Sequence, residues 1–340
     1  MNIVKQKIEF CQQLAEFAPK QTKKLFLFGL QVFVFREVTS LRRMSRLSPV
    51  TWNTAKSKSY RLTGNKKIRR IFLAILKKLD LVQEGDVLAV DFSDFGNGFQ
   101  ILMFAKQTKK GRALPIYFEI LHYPIQKGSQ NIFTNNAVSN LSKILGWKPK
   151  LVFDRGFACP SIIKFLAQNQ YIFYIRIKRS KKVVNKKNGK LLSAKDFKKN
   201  DAFVFAYEKD LRLVISDEQE DIKEPWYIIT NDLNSTRDEI VEIYYHRFEI
   251  EEFFRDAKRL LGLEHVNFKK ENSLAVVLWF VILGCWFTAE LEEKMSDEEK
   301  KEKKIFRLST IRYFFEKMAK EIILAVEGEF MGVLSVQNEV

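Results

Sequence analysis

The sequence predicts an α/β protein: a mixed sheet with flanking helices, a β-rich insertion late in the sheet, and a helical N-terminal region. Three observations carry this. Apolar runs of strand length recur between residues 87 and 177, separated by turn residues and by two stretches of helical spacing. A Lys- and Asn-rich segment holding two further strand-like runs interrupts that pattern at 178–225. Before residue 80 the apolar residues fall instead at helical spacing among basic ones.

Taken in order, residues 1–80 form a helical region with apolar clusters such as Leu25–Phe28 and Val32–Phe35. Ser48-Pro49 and the Ser-, Thr- and Lys-rich stretch Thr51–Gly64 interrupt it. From Lys66, KKIRRIFLAILKKLDLV sets Ile68, Ile71, Phe72, Ala74, Ile75 and Leu79 at helical spacing, with a basic opposite face suited either to DNA or to water. Val87–Val90 is then a short strand ending in Asp91, followed by a turn at Gly96-Asn97-Gly98. Phe99–Ala105 and Leu114–Leu121 complete a three-strand meander. Asn136–Leu145 is a helix closed by Gly146, Leu151–Phe153 a buried strand ending in Asp154, Pro160–Ala167 a helix, and Tyr171–Ile177 a fifth strand.

Three strands, helix, strand, helix, strand, with one acid on the first strand and another after the fourth, is the plan of ribonuclease-H-like nucleases. That core is expected over 81–177 and 226–291, with the insertion at 178–225. The insertion opens on KRSKK, turns at Lys187-Asn188-Gly189, and contains AFVFAY (202–207) and LRLVIS (211–216). Trp226–Thr230 is a further strand, and a long helix follows from Ser235 to Gly262, opened by Ser235-Thr236-Arg237-Asp238 as a capping box with Asp in the Glu position. A Lys/Glu-rich connection, Glu292–Lys304, leads into a C-terminal helical region, 292–340.

Composition narrows the function classes. Apolar residues make up 46% of 340, 30 of them Phe, which excludes disorder on compositional grounds. With 58 basic against 41 acidic residues the net charge is +17, which predicts attraction to polyanions, nucleic acid or an anionic membrane. Cys11, Cys159 and Cys285 are dispersed and odd in number, without metal-ligand spacing, and suit a reducing cytoplasm. No sustained apolar core follows Lys5, Lys7 and Glu9, so no secretory signal is expected. Leu274–Ala289 is sixteen residues long and falls short of the ~20 that a membrane span needs; a buried central helix is the expectation.

The residues that carry chemistry cluster on the long helix. In IYYHRFEIEEFFRDAK, Tyr244, Arg247, Glu251 and Lys258 stand at offsets of three, seven and fourteen residues. On an unbroken α-helix these positions share an arc of roughly 60°. One face would present a phenol, a guanidinium, a carboxylate and an ammonium; a solvated face laced with ion pairs is the plainer account of such a pattern. Asp91 and Asp154 each end an apolar run, where an unpaired carboxylate is costly. Three carboxylates converging at ~5 Å would repel by roughly 3 kcal/mol per pair at an effective dielectric near 20, which makes sense chiefly with divalent cations between them. Asp94 is a rival to Asp91, and His246 lies off the arc.

The Tyr-x2-Arg-x3-Glu-x6-Lys spacing resembles the signature of insertion-sequence transposases of the "insertion sequence four" group, and all four positions match. Phe153-Asp154-Arg155-Gly156-Phe157 and Val90-Asp91-Phe92-Ser93 are similar to the stretches that carry the first two acids there. The resemblance covers about residues 85–290. It implies a DDE transposase in which Asp91, Asp154 and Glu251 are catalytic and bind two Mg²⁺ ions about 3.5–4 Å apart, with Mn²⁺ able to substitute. It implies hydrolysis of transposon-end phosphodiesters and strand transfer by a 3′-hydroxyl into target DNA. Tyr244, Arg247 and Lys258 would contact DNA phosphates, and Trp226 would stack an extruded base or else pack in the core. The implied partners are double-stranded DNA, as terminal inverted repeats and target, and a second copy of the chain on DNA. Neither a membrane nor a small-molecule cofactor is implied, and the setting is the nucleoid of a bacterial or archaeal cytoplasm. A ribonuclease-H-like nuclease or resolvase without strand transfer, a catalytically inactive DNA-binding derivative, and a membrane-anchored protein are the competing expectations.

Overall fold

The structure is a computed structural model that describes residues 9–10, 12–30, 52–65, 67–78, 81–95, 98–125, 128–197, 201–217, 224–259, 269–294 and 298. The described residues fall into two compact units, one drawn from 1–80, 95–97 and 255–340, the other from 81–94 and 98–254. The apolar cluster Val32–Phe35, Ser48-Pro49, the turn residues Gly96 and Asn97, Cys11, Gly262 and the terminal helix expected beyond Lys304 lie outside the described residues.

The first unit is helical. Helices α1 (Lys20–Gly29), α2 (Trp52–Thr63) and α3 (Lys67–Lys78) belong to it with a long apolar helix, Glu271–Lys294, named α8 below in chain order. On α3, Ile68, Ile71, Phe72 and Ile75 are buried as the spacing requires, but Leu76 is buried where Ala74 was expected, and Ala74 is exposed. Aromatic rings fill the centre: Phe72 stacks on Trp279 at 5.2 Å and meets Phe280 edge-on at 5.1 Å. Gly29 allows the closest approach, since a Cβ there would stand 2.3 Å from the Phe280 ring. Leu274, Val276–Leu283 and Cys285–Phe287 are all buried, as expected of a central helix, and no described helix is long and apolar enough to cross a membrane.

The second unit is built on a ten-stranded mixed sheet. Its strands are β1 (Val87–Asp94), β2 (Phe99–Lys106), β3 (Leu114–His122), β4 (Lys150–Phe153), β5 (Phe173–Ile177), β6 (Lys182–Asn185), β7 (Leu191–Ser193), β8 (Asp201–Ala206), β9 (Lys209–Ile215) and β10 (Tyr227–Thr230). Their spatial order is β3-β2-β1-β4-β5-β10-β9-β8-β6-β7. The meander β1–β3 is antiparallel, while β1, β4 and β5 run parallel, joined through α4 (Ser129–Leu145) and α5 (Pro160–Gln168). This is the ribonuclease-H-like arrangement, and the insertion strands extend its sheet instead of forming a separate one.

Four elements differ from expectation. The stretch Thr51–Gly64, expected to interrupt the helices, is itself helical over Trp52–Thr63. Strand β1 continues through Asp91 to Asp94, because its far half pairs with β2, Asp91 opposite Met103 and Asp94 opposite Gln100. Helix α4 starts at Ser129, seven residues before Asn136, and ends as expected at Gly146, whose φ of 85° suits a residue without a Cβ. The long helix is broken. Helix α6 (Arg237–Tyr245) gives way to a 3₁₀ turn at His246–Phe248, then to α7 (Glu249–Arg259). Its cap is Thr236 with Glu239, a complete capping box one residue later than the Ser235/Asp238 pairing expected. Ser235 instead donates to Asp232 Oδ2 at 2.6 Å.

Candidate active site

Asp91 and Asp154 reach the same place from adjacent strands. Val90 pairs with Phe153 across the parallel β1–β4 ladder, so the two acids each stand one residue beyond a paired, buried position. Alternation puts Asp91 and Ser93 on one face of β1 and Phe92 and Asp94 on the other. Asp94 is exposed and accepts from Gln100 Nε2 at 2.9 Å, away from the site. Asp154 also caps a 3₁₀ turn, its Oδ1 accepting the Gly156 amide at 3.0 Å.

The junction of α6 and α7 lies over the Asp91 face. Its position is set by the β2–β3 loop. Buried Glu249 accepts the amides of Thr108 at 2.8 Å and Gly111 at 3.1 Å, and its own carbonyl accepts from Ala113. Gln107 donates to the Ile243 carbonyl at 2.8 Å, and Arg112 pairs with Glu252 at 3.0 Å. The three acids of Glu249-Ile250-Glu251-Glu252 thus divide their work: two clamp the loop, and Glu251 faces Arg247.

Arg247 is the centre of the constellation. It is 3% exposed, yet it carries a charge. Its Nη2 donates to Glu251 Oε1 at 2.6 Å, and its Nη1 stands 3.5 Å from Asp91 Oδ2. The guanidinium lies 4.5 Å from the Phe248 ring and 5.6 Å from that of Tyr244. Nη1 and Nε have no hydrogen-bond partner. This buried cation is held by one charge-assisted hydrogen bond, to Glu251, and by the charge of Asp91. Burial pushes the Asp91 carboxyl up to about 6; Arg247 and the Phe92 amide pull against that, while Asp154 and Glu251 add to it.

Tyr244 and Trp226 are packed, at 1% and 5% exposure, ring against ring at 5.1 Å. Trp226 also meets Tyr245 and Phe248. In this arrangement both sit in the core and present no face to solvent. The 3₁₀ turn is the reason for Tyr244: three residues at ~120° instead of ~100° rotate it by roughly 60° relative to Glu251, off the shared arc. Lys258 follows two turns along α7, half-buried, its Nζ 5.3 Å from the Phe95 ring. His246 meets Glu249 at 3.1 Å, a neighbour as expected.

One residue near the site escaped the sequence reading. Arg176, on β5, shares the face of Tyr174 and acts electrostatically on Tyr244, as Asp154 does. A lone cation inside the apolar strand run FYIRI was the available signal.

Carboxylate oxygens are the donors that hard divalent cations take, and the Asp91 carboxyl, costly when charged and buried, fits a cation site. Among the described residues, however, no three metal-capable side chains stand close enough to enclose an ion. Arg247 lies between Asp91 and Glu251, where its single positive charge offsets one of their two negative ones.

Residues 122–287 match the family described as "Transposase DDE domain", a span that includes Asp154, Trp226, Tyr244, Arg247, Glu251 and Lys258 but not Asp91. No curated protein matches the chain. Among solved structures, a piggyBac transposase synaptic complex with hairpin DNA is similar at TM-score 0.45 and 13% identity, over 96% of this chain and 79% of that one. Aa-Ago with externally bound siRNA is similar at TM-score 0.27 and 13% identity, over 67% and 36%.

Proposed function

We propose that this chain is a DNA transposase of the DDE type, with Asp91, Asp154 and Glu251 as its catalytic acids. The observation that carries the reading is the meeting of strand-borne Asp91 with helix-borne Glu251 through one buried arginine, with Asp154 at the end of the adjacent parallel strand of a ribonuclease-H-like sheet. The transposase-domain match over 122–287 supports it.

Asp91, Asp154 and Glu251 would hold Mg²⁺ or Mn²⁺, which would lower the pKa of an attacking water or 3′-hydroxyl and neutralise charge on the leaving oxygen. The chain's own residues do the rest. Arg247 holds Asp91 and Glu251 within ion-pair range of a single charge. Arg247 and Lys258 are the cations that would meet phosphates of a bound DNA end, Arg as a planar donor and Lys as a point charge. Tyr244 and Trp226 support that helix from beneath, and either would reach DNA only after leaving the core. The helical region before residue 80 would hold duplex DNA, two copies would pair two ends, and the work would take place at the nucleoid.

The test uses a plasmid carrying the DNA that flanks the gene, incubated with purified protein and Mg²⁺ or Mn²⁺. Wild type should cut at defined ends and join them to target, and Asp154→Asn should bind DNA but cut at least about a hundredfold more slowly. Undiminished cutting by Asp154→Asn would remove Asp154 from the chemistry. Cutting without joining would make the chain a nuclease or resolvase.

A further inference from the structure

The face of the sheet that carries Asp91 can be followed to its far edge. Pairing links Ala89, two residues before Asp91, to Val152, then Tyr174, Thr230, Arg212 and Phe203. Paired residues point to the same side, so Phe203 shares a face with Asp91. Five strand spacings separate β1 from β8, roughly 24 Å, the length of about seven nucleotides at ~3.4 Å each.

Past β9 this face is exposed. Phe203 is 60% exposed, Phe205 44% and Leu191 60%, whereas Val204, Ala206 and Val183 on the opposite side are buried. Pairing sets Phe205 beside Val184 and Val184 beside Leu191, so the apolar groups form one band across β8, β6 and β7. Two exposed phenylalanines on neighbouring positions of one strand are costly in water and mark a contact surface. The surroundings say of what kind. Residues 178–200, which supply β6 and β7, carry ten basic side chains and one acidic, a net of +9. Lys182 flanks the band, and Lys186 borders it, paired with Asp210 at 2.6 Å. A second copy would bring the same charge to the same place, which opposes a homodimer through this patch. A nucleic-acid strand supplies both what the lysines and what the rings need. A flat phenylalanine meets the face of a base only where no neighbouring base already covers it, which selects unpaired bases over duplex.

We propose that the exposed face of β8, β6 and β7, with Phe203 and Phe205 at its centre and Lys182 at its edge, is a stacking platform for unpaired bases of a DNA strand. It rests on the transposase reading only for the choice of DNA, and its binding is separate from the acids.

The experiment measures anisotropy of labelled oligothymidylate of about 16 nucleotides, and of a duplex of the same length, with the full-length protein. Phe203→Ser/Phe205→Ser should bind the single strand at least about tenfold more weakly and the duplex within about twofold of wild type. Phe203→Tyr/Phe205→Tyr should restore single-strand binding. A 5-iododeoxyuridine oligonucleotide should photocrosslink to the peptide containing residues 201–206; this arm uses wild type and decides the matter if the serine variant misfolds. Equal losses on both ligands, no loss, or crosslinks confined elsewhere would overturn the proposal. So would a change of oligomeric state without a change in affinity, which would make the band an interface between copies. Asp154→Asn should bind the single strand as wild type does. Single-strand preference without any cleavage would retire the catalytic reading and leave the platform standing.

Discussion

Asp91 stands in the middle of β1 with a fifth of its side chain exposed, opposite Met103 and between Val90 and Phe92. Burial raises its carboxyl from the ordinary carboxylate range to about 6, even with Arg247 3.5 Å away. The folded protein therefore holds a proton there between about pH 4 and pH 6 that the unfolded chain has already released. Stability from this group is fully present below pH 4 and is lost as pH rises through 6, by about 3 kcal/mol at most. At neutral pH the charged Asp91 is thus a liability of the apo protein. Asp91→Asn should melt higher than wild type at pH 7.5 in chelator, and the difference should close near pH 4. Adding Mg²⁺ should raise the melting temperature of wild type and leave Asp91→Asn unmoved. A lower melting temperature for Asp91→Asn at pH 7.5 in chelator would mean that its charge stabilises the fold through Arg247. The sequence showed which acids to suspect, because a carboxylate ending an apolar run is visible in one dimension. Spacing sets Arg247 beside Glu251, but it did not show that Arg247 would be buried and would reach Asp91 as well.

At the scale of elements, strand order and most boundaries were legible because apolar runs and turn residues declare themselves locally. What failed was what depends on partners. Strand β1 reads as ending at Val90, because Asp and Ser are poor strand formers, yet pairing with β2 carries it to Asp94. The first two turns of α4 contain Asn131, Asn135 and an exposed Ile132, and its buried stripe starts only at Thr134, so periodicity finds the helix late. The break at His246–Phe248 has no sequence signal: apolar spacing continues through it, and the contacts made there, the loop clamp on Glu249 and the pairing of Arg247 with Asp91, are tertiary ones. The entry to α6 is where an element can be tested alone. Thr236 accepts the Glu239 amide while Glu239 accepts at 2.7 Å from the Thr236 amide, and Ser235 is already engaged with Asp232. Thr236→Ala should cost about 1 kcal/mol, read as a lower urea midpoint at unchanged slope. Ser235→Ala, the cap expected from sequence, should act instead through the buried Asp232 network. If Thr236→Ala left the midpoint in place, the helix start would be held by Asp232 and not by its capping box.

Over the whole molecule, charge is distributed as unevenly as the core. Residues 178–200, toward the far end of a sheet whose central strands carry Asp91 and Asp154, hold a net of +9, whereas residues 201–225 hold −5 and residues 1–80 hold +14. A uniform excess would only make the protein soluble and generally adhesive to polyanions; a concentrated one defines a track. Lys187 and Lys190 flank Gly189 at the exposed tip of the β6–β7 hairpin, and the backbone of that tip is held by Asn185 and Asn188. Their ammonium groups are therefore spare to the fold. Lys187→Ala/Lys190→Ala should leave thermal stability unchanged while flattening the plot of log affinity for duplex DNA against log salt. Two lost phosphate contacts correspond to a change in slope of roughly 1.8, because each contact releases ~0.9 of a counterion. A full change would place DNA across the insertion as well as at the acids, a path long enough to bring single-strand bases to Phe203. An unchanged slope with weaker binding would mean that the hairpin contributes through contacts other than those to phosphate, because electrostatic steering would itself depend on salt. An unchanged slope and unchanged affinity would confine DNA to the half of the sheet that carries Asp91 and Asp154, and the charge of 178–200 would then serve another polyanion.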